Sequence, residues 1–518
     1  MKEKKYLVLG ITLVLLTFVG VSLAYFLTTI EGDRKNITIN TADLRVIFTN
    51  GDAIEGTGIE PGWSVTKSFS VENKSKNEYK YNIVIEDLVN TFKTTGYLQY
   101  KITSTDGGYN MDDFKDVPKS SIATNTVLAY SVSIASKSTQ NYTITIQYKN
   151  DENVDQSIDS LLDAVVTGKL YINEGTYPTL SEVILRDNPT ISERTDFSVT
   201  NTANTTGIIY KTNKTEDGST VYYYSGNTSK NWVKFAGFYW RIIRTNEDGS
   251  VRLLYSGTSH DTTEGYIGVS KFNTSSNNPM YVGYMYGTSG SLENNRTNTN
   301  DSTIKTVIDK WYENNLLTNY DKYISKDAIY CNDRSVKDNL YSTSSDFNYG
   351  SYTRLDTNGN QIHMPVPTYK CGGNKNGGLF ESTQAIEDKF SASTEVGGNG
   401  QLKYPIAMMT IDELSFAGGL RLTSLISPYA WYYTNSQGTS ITESYVWWSL
   451  SPIAFSSHGG AGVWRVTAGG LYDDSVELGG GVRPVLSLKA CVNYLSGDGT
   501  PTTPYEVTID DACTNAEN

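Results

Sequence analysis

Residues 461–488, AGVWRVTAGGLYDDSVELGGGVRPVLSL, read as a strand, a glycine turn, a short strand and a closing strand with Arg483 and Pro484 at its mouth. Just upstream, YVWWSLSP (445–452) is strand-like and ends in a turn at Pro452. Side chains alternate across a strand, so at most one of Trp447 and Trp448 is expected in the core, with the other on the opposite face. Arg483 is expected to pair internally, with Asp412 or Glu413, fixing the last strand against a helix. The glycine-rich stretch 453–480 is read as loops on a rigid sheet, where recognition commonly resides. Its Ser456, Ser457, His458, Trp464, Tyr472, Asp473, Asp474 and Glu477 form the candidate ligand-binding set. For Trp464 a plain core role competes with ligand contact.

Working outward, NWVKFAGFYWRIIRTNEDGSVRLLYSG (231–257) alternates on both sides of an Asp-Gly pair and predicts a hairpin turning at NEDG. STIKTVIDKWYENNL (302–316) places Ile304, Val307, Ile308 and Trp311 at helical spacing. In TIDELSFAGG (410–419), Thr410 and Glu413 have capping-box spacing and Gly418-Gly419 ends the helix. Residues 177–207 hold one short amphipathic helix, with Leu180, Val183 and Ile184 on a face, and then a polar tract that reads as a connector. Further upstream the period is two. SVTKSFSVEN (64–73) aligns Val65, Lys67, Phe69 and Val71, and NYTITIQYKN (141–150) aligns Tyr142, Ile144, Ile146 and Tyr148. Pro61-Gly62 sets the entry of the first strand, and several such strands suggest a β-sandwich.

A formal charge of −13 disfavours nucleic acid, because phosphate binding needs clustered Lys and Arg. The run Tyr6–Leu27 is uncharged and long enough to span a bilayer, and Lys2, Lys4 and Lys5 hold the N-terminus inside. Ser22-Leu23-Ala24 also has the small residues of a cleavage site, so anchor and cleaved signal both stand. Either way the rest of the chain is expected outside, on the extracellular face of the membrane or secreted. No second apolar span and no wall-sorting pattern is read. There the four cysteines read as disulfides, and proximity favours Cys331–Cys371 and Cys491–Cys513. Zinc is the weaker reading, since no CxxC spacing occurs and only three histidines are present. No metal and no cofactor are predicted.

Two resemblances carry the functional expectation. ITINTADLRVIF, IEPGWSVTKSFSVEN and DQSIDSLLDAVVTGKLYI resemble the exported β-sandwich domains of the TasA and camelysin type, or an Ig-like relative, over roughly residues 1–172. That likeness implies a stalk or matrix role. No HExxH motif accompanies it. Over about residues 207–495 the chain resembles C-type-lectin-like domains of bacterial surface proteins, a family known only as a domain of unknown function. The positions that match are Trp240, Arg241, Cys331, Asp333, Arg334, Asp412, Glu413, Trp448, Ser451, Pro452, Arg483 and Pro484. Of these, Trp240, Arg241, Asp412, Glu413, Trp448, Pro452, Arg483 and Pro484 are expected to be structural, and the resemblance implies a binding face in 453–480. It extends to the fold of the formylglycine-generating enzymes, but their closing cysteine pair has no counterpart, because no Cys lies between 372 and 490. Ser456, His458 and Asp473 lack a GxSxG elbow, so an enzyme is not expected.

The expected fold class is mainly β with α+β parts. The segments are a signal or anchor at 1–29, a β-sandwich at 30–172, a connector at 173–206, a C-type-lectin-like domain at 207–495 and a tail at 496–518. The expected function is a cell-surface binding protein for an unknown protein or glycan, held to the membrane through residues 6–27. The competing class is a structural component of an extracellular matrix.

Overall fold

The computed structural model describes residues 28–31, 37–41, 44–50, 54–56, 59–94, 96–161, 164–175, 178–336, 341–355, 366–371, 388–423, 429–442, 446–467 and 470–507. The apolar run 6–27 and Cys513 fall outside them. Among the described residues no helix is long and apolar enough to cross a membrane. The chain divides into two compact units, Met1–Tyr177 and Pro178–Asn518.

The first unit is built from two sheets. One runs Ile54–Gly56, Thr28–Glu31, Val166–Glu174, Tyr79–Asn90, Ser120–Ile134; the other runs Ile37–Thr41, Leu44–Asn50, Ser64–Asn73, Thr139–Tyr148, Leu98–Ser104, Lys115–Asp116. The period of two does what the pattern requires. Tyr142, Ile144, Ile146 and Tyr148 are all buried, and they share one core with Tyr81, Ile83, Ile85 and Leu170 of the other sheet. Gly62 takes φ 96° at the Pro61-Gly62 turn, a conformation that costs a glycine nothing.

The second unit is mainly β with short helices. Its larger sheet centres on the hairpin strands Phe238–Thr245 and Val251–Tyr255, the latter pairing with Pro484–Leu488. The NEDG turn forms where expected. Its smaller sheet runs Val269–Lys271, Gly479–Gly481, Trp447–Ser456, Gly460–Thr467, Gly470–Ser475. A single apolar cluster joins the two sheets and the helix Thr303–Asn315, which buries Ile304, Ile308 and Tyr312, with Trp311 packed at the edge of the cluster.

Several expectations change here. The stretch 178–206 read as a connector belongs to the second unit: Leu180, Val183 and Ile184 enter its core, and Thr190–Ser192 adds a strand beside Ile208–Thr212. The region read as a tail supplies the strand Tyr505–Val507, paired with Trp232–Phe235. Trp447 and Trp448 are both fully buried, because their strand lies inside the sheet with both faces covered: Trp447 packs under Arg483 and beside Tyr432, Trp448 against Phe272 and Arg465. The glycine run makes room for this, since a Cβ on Gly480 would come within 2.7 Å of the Trp448 indole nitrogen. Pro452 does not end the strand; the register shifts on either side of it and pairing resumes to Ser456, the irregularity a strand proline demands.

Candidate functional site

The hairpin sets Arg244 directly opposite Arg252. Two guanidiniums facing each other repel. Glu413 stands between them, its Oε1 2.5 Å from Arg252 Nε and 3.6 Å from Arg244 Nε. Helix capping holds Glu413 there: its Oε2 accepts from the Thr410 amide at 2.9 Å while its own amide donates to Thr410 Oγ1 at 3.1 Å. The preceding residue, Asp412, accepts from Arg354 Nη2 at 2.8 Å and Nε at 3.2 Å, a forked pair, and from the Thr368 amide at 3.0 Å. Arg354 Nη1 donates to Asp333. Tyr369 and Tyr330 offer their ring faces to Arg244 and Arg252 at 4.3 and 4.4 Å.

These six charges are each 6% exposed or less and form the floor of a cavity of about 230 Å³. Three guanidiniums oppose three carboxylates, so the floor is neutral. Burial alone would raise the Asp333 carboxyl, but the Arg354 guanidinium and the Ser335 hydroxyl hold it below the usual carboxylate range. Burial pushes the Tyr369 and Tyr330 hydroxyls up, so both stay neutral. Around the floor stand Glu216, Asp217, Glu247, Asp248 and Asp327, with Lys370 as the one cation among them. An incoming group therefore meets a stiff, neutral base and an acidic rim. The rim's excess of carboxylates over cations is complementary in charge to cations and donor-rich groups.

The expected bridge Cys331–Cys371 is formed and borders this cavity. Glu216 lies close to both sulfurs, but a disulfide has no thiolate to give a metal. Cys491 is also disulfide-bonded.

The stretch 453–480 is not a set of loops. It is a meander of three strands, and its candidate residues do not converge. Ser457 and His458 are exposed at the first hairpin tip, bonded to each other at 3.0 Å, with Ser457 also held by Asp346. Ser456 closes that turn by accepting from the Gly459 amide. Glu477 accepts from Ser276 at 2.9 Å. Tyr472, Asp473 and Asp474 lie on the edge strand Gly470–Ser475, where Asp474 pairs with Arg465 and Asp473 approaches Arg421 at 4.0 Å. Asp473 is opposite Trp464 in register, away from the His458 turn, so no Ser-His-Asp relay is assembled. Trp464 is fully buried and donates to Ser351 Oγ at 3.1 Å, so it presents no surface to a ligand. None of the eight lines the cavity.

Arg483 does not pair with Asp412 or Glu413, whose oxygens are already committed to Arg354 and Arg252. It donates instead to the carbonyls of Tyr255 (2.9 Å), Gly265 (3.0 Å) and Tyr432 (2.6 Å), pinning three segments to the closing strand. Pro484 opens that strand opposite Met408, and Trp240 is buried with its indole donating to the Phe235 carbonyl at 3.1 Å. Thus Asp412 and Glu413, read as structural, Cys331, read as a disulfide, and Asp333, a position of the resemblance, line the cavity, whereas Arg244, Arg252, Arg354 and Glu216 were missed. The signal for two of them was present: an arginine inside RIIRT and inside VRLLY interrupts an otherwise apolar strand, and a strand buries a charge only beside a partner.

No protein-family model matches the chain, and no curated protein matches it.

Proposed function

We propose that the chain is an exported cell-surface binding protein whose second unit, C-type-lectin-like in its ancestry, recognises a protein or glycan through the acidic-rimmed cavity. The observation that carries this reading is the cavity itself: a floor of six mutually paired charges, held by a helix cap and a disulfide, beneath carboxylates with no comparable set of cations. Preorganised charge on a rigid base is what selective recognition requires. A disulfide that closes the wall of the site agrees with a location outside the cell. The ligand presents an ammonium or guanidinium group, as a lysine or arginine side chain or an amino sugar does. The test is binding of the purified protein to a mixed array of glycans and surface proteins beside an Asp217→Asn/Asp248→Asn/Asp327→Asn variant. Asn keeps the turn bonds that Asp217 and Asp248 make to Ser219 and Ser250 while removing charge. Hits that survive in the variant would move the site elsewhere.

A structural role in a matrix is the second reading, favoured by the fifteen-residue strand Ser120–Ile134, which ends its sheet and pairs only with Tyr79–Asn90 among the described residues. An open edge of that length is a template for another chain. Concentration-dependent polymerisation, followed by light scattering, would favour it; a monomer at all concentrations would sink it.

A further inference from the structure

The second unit carries another concavity, a groove of about 350 Å³ that shares no residue with the acidic cavity. Its lining is opposite in character. In a protein of charge −13, the groove's one charged side chain among the described residues is Arg241; hydroxyls, amides and Tyr429 make up most of the rest.

Arg241 is 3% exposed, and its acceptors are all neutral: Asn231 Oδ1 at 2.6 Å, the Thr228 carbonyl at 3.0 Å and, for Nη1, only the Thr434 carbonyl at 3.5 Å. Its guanidinium stacks on Trp232 at 4.2 Å and faces Trp431 at 5.5 Å. No described carboxylate is among the groups that act on it. Its charged neighbour is a second buried arginine, Arg483, and burial followed by that repulsion pushes the Arg241 guanidinium well down. Arg483 also bonds only to carbonyls and to Ser256 Oγ. Buried charges are ordinarily matched by opposite charge, and the carboxylates elsewhere in this unit show that the fold supplies them where stability needs them. Here two guanidiniums lie close together without one, and the nearer of them lines an open groove. At the groove wall the side-chain amides of Asn227 and Gln437 and the Tyr429 hydroxyl make no hydrogen bond among the described residues.

We infer that this groove binds an acidic saccharide, with the carboxylate of a uronic acid directed at Arg241 and its ring hydroxyls meeting Asn227, Gln437 and Tyr429. Arg241 Nη1, whose one acceptor among the described residues is the Thr434 carbonyl at 3.5 Å, keeps donor capacity for a carboxylate, and amides with an aromatic ring suit hydroxyls and the apolar face of a sugar. The site is independent of the acidic-rimmed cavity, so either can fail alone.

The experiment is calorimetric titration of the purified full chain with an oligogalacturonate and with its methyl ester, which keeps every hydroxyl and loses the charge. The acid is expected to bind at least tenfold tighter than the ester, with affinity falling as salt rises. A Tyr429→Phe/Gln437→Ala variant, which removes the hydroxyl and the amide at the groove wall and keeps the ring that packs on Tyr433, is expected to bind at least fivefold more weakly with an unchanged melting temperature. Arg241→Lys is expected to bring acid and ester closer together; Arg241→Ala is not relied on, because it is expected to unfold the unit. Equal affinity for acid and ester, saturable binding untouched by the double variant, or no binding of the acid at millimolar concentration would each overturn the inference.

Discussion

Glu413 is the residue on which the cavity floor turns, and its replacement has a magnitude that can be worked out. Glu413→Ala removes two things. The first is the acceptor of the capping box, whose loss costs about 1 kcal/mol. The second is the carboxylate between Arg252 and Arg244, whose side chains are 1% and 7% exposed. Breaking a buried pair by deleting one partner costs roughly 3–5 kcal/mol, because a charge stays buried without compensation. The ion pair with Arg252 lacks hydrogen-bond alignment, since Arg252 Nε counts as buried without a hydrogen-bond partner, so the low end of that range applies. The sum is about 4 kcal/mol, which for a unit of this size is a fall of roughly 6 °C in melting temperature. Glu413→Gln separates the terms: its amide oxygen still accepts from Thr410, so it is expected to recover about 1 kcal/mol relative to alanine. Differential scanning calorimetry of the three proteins measures both. A Glu413→Ala melt within about 2 °C of the parent would refute the argument that this carboxylate compensates the two arginines.

Arg483→Ala leaves the carbonyls of Tyr255, Gly265 and Tyr432 without a donor and opens space beneath Trp447, so a loss of about 3–5 kcal/mol is expected in urea denaturation. Trp464→Ala is expected to cost about 3–5 kcal/mol as a core truncation, whereas Ser457→Ala at the exposed hairpin tip is expected to shift stability by less than about 0.5 kcal/mol. Replacing Cys331 and Cys371 by serine opens a loop of 40 residues and is expected to cost about 4 kcal/mol, read as a lower urea midpoint. Stability should also fall in acid. The Asp333 carboxyl is depressed in the folded state, so its contribution is complete above the unfolded value near about pH 4 and is lost as the pH drops through the lower folded value. An Asp333→Asn variant is expected to be less stable at pH 7 and to show a flatter acid limb.

Much of the fold is legible in the residues because it follows from local rules. The alternation of Tyr142, Ile144, Ile146 and Tyr148, the Asp-Gly hairpin and the Thr410/Glu413 cap each need only neighbours in sequence, and each forms. What escapes is whatever depends on how far segments travel. Trp447 and Trp448 read as one in and one out because a two-residue period shows which faces alternate, not whether both are covered. Arg483 reads as an ion pair because sequence supplies carboxylates to choose from, yet cannot show that Arg354 and Arg252 claim them first. The candidate residues of 453–480 fail to converge for the same reason. A glycine-rich, polar stretch looks like loops, but here it forms a strand meander in which Gly480 makes room for the Trp448 indole. The charges that do converge come from six separated stretches, around 216, 247, 330, 354, 370 and 412, which no local pattern links.

The most direct measurement is calorimetric titration of the purified protein with a short lysine-containing peptide and with the same peptide acetylated on its lysine and N-terminal amines. The account predicts saturable binding of the charged peptide, at least tenfold weaker binding of the acetylated one, and loss of that difference in the Asp217→Asn/Asp248→Asn/Asp327→Asn variant. Equal binding of the two peptides, or no heat from either at millimolar concentration, would contradict the claim that the acidic rim of this cavity is a recognition site for cationic groups.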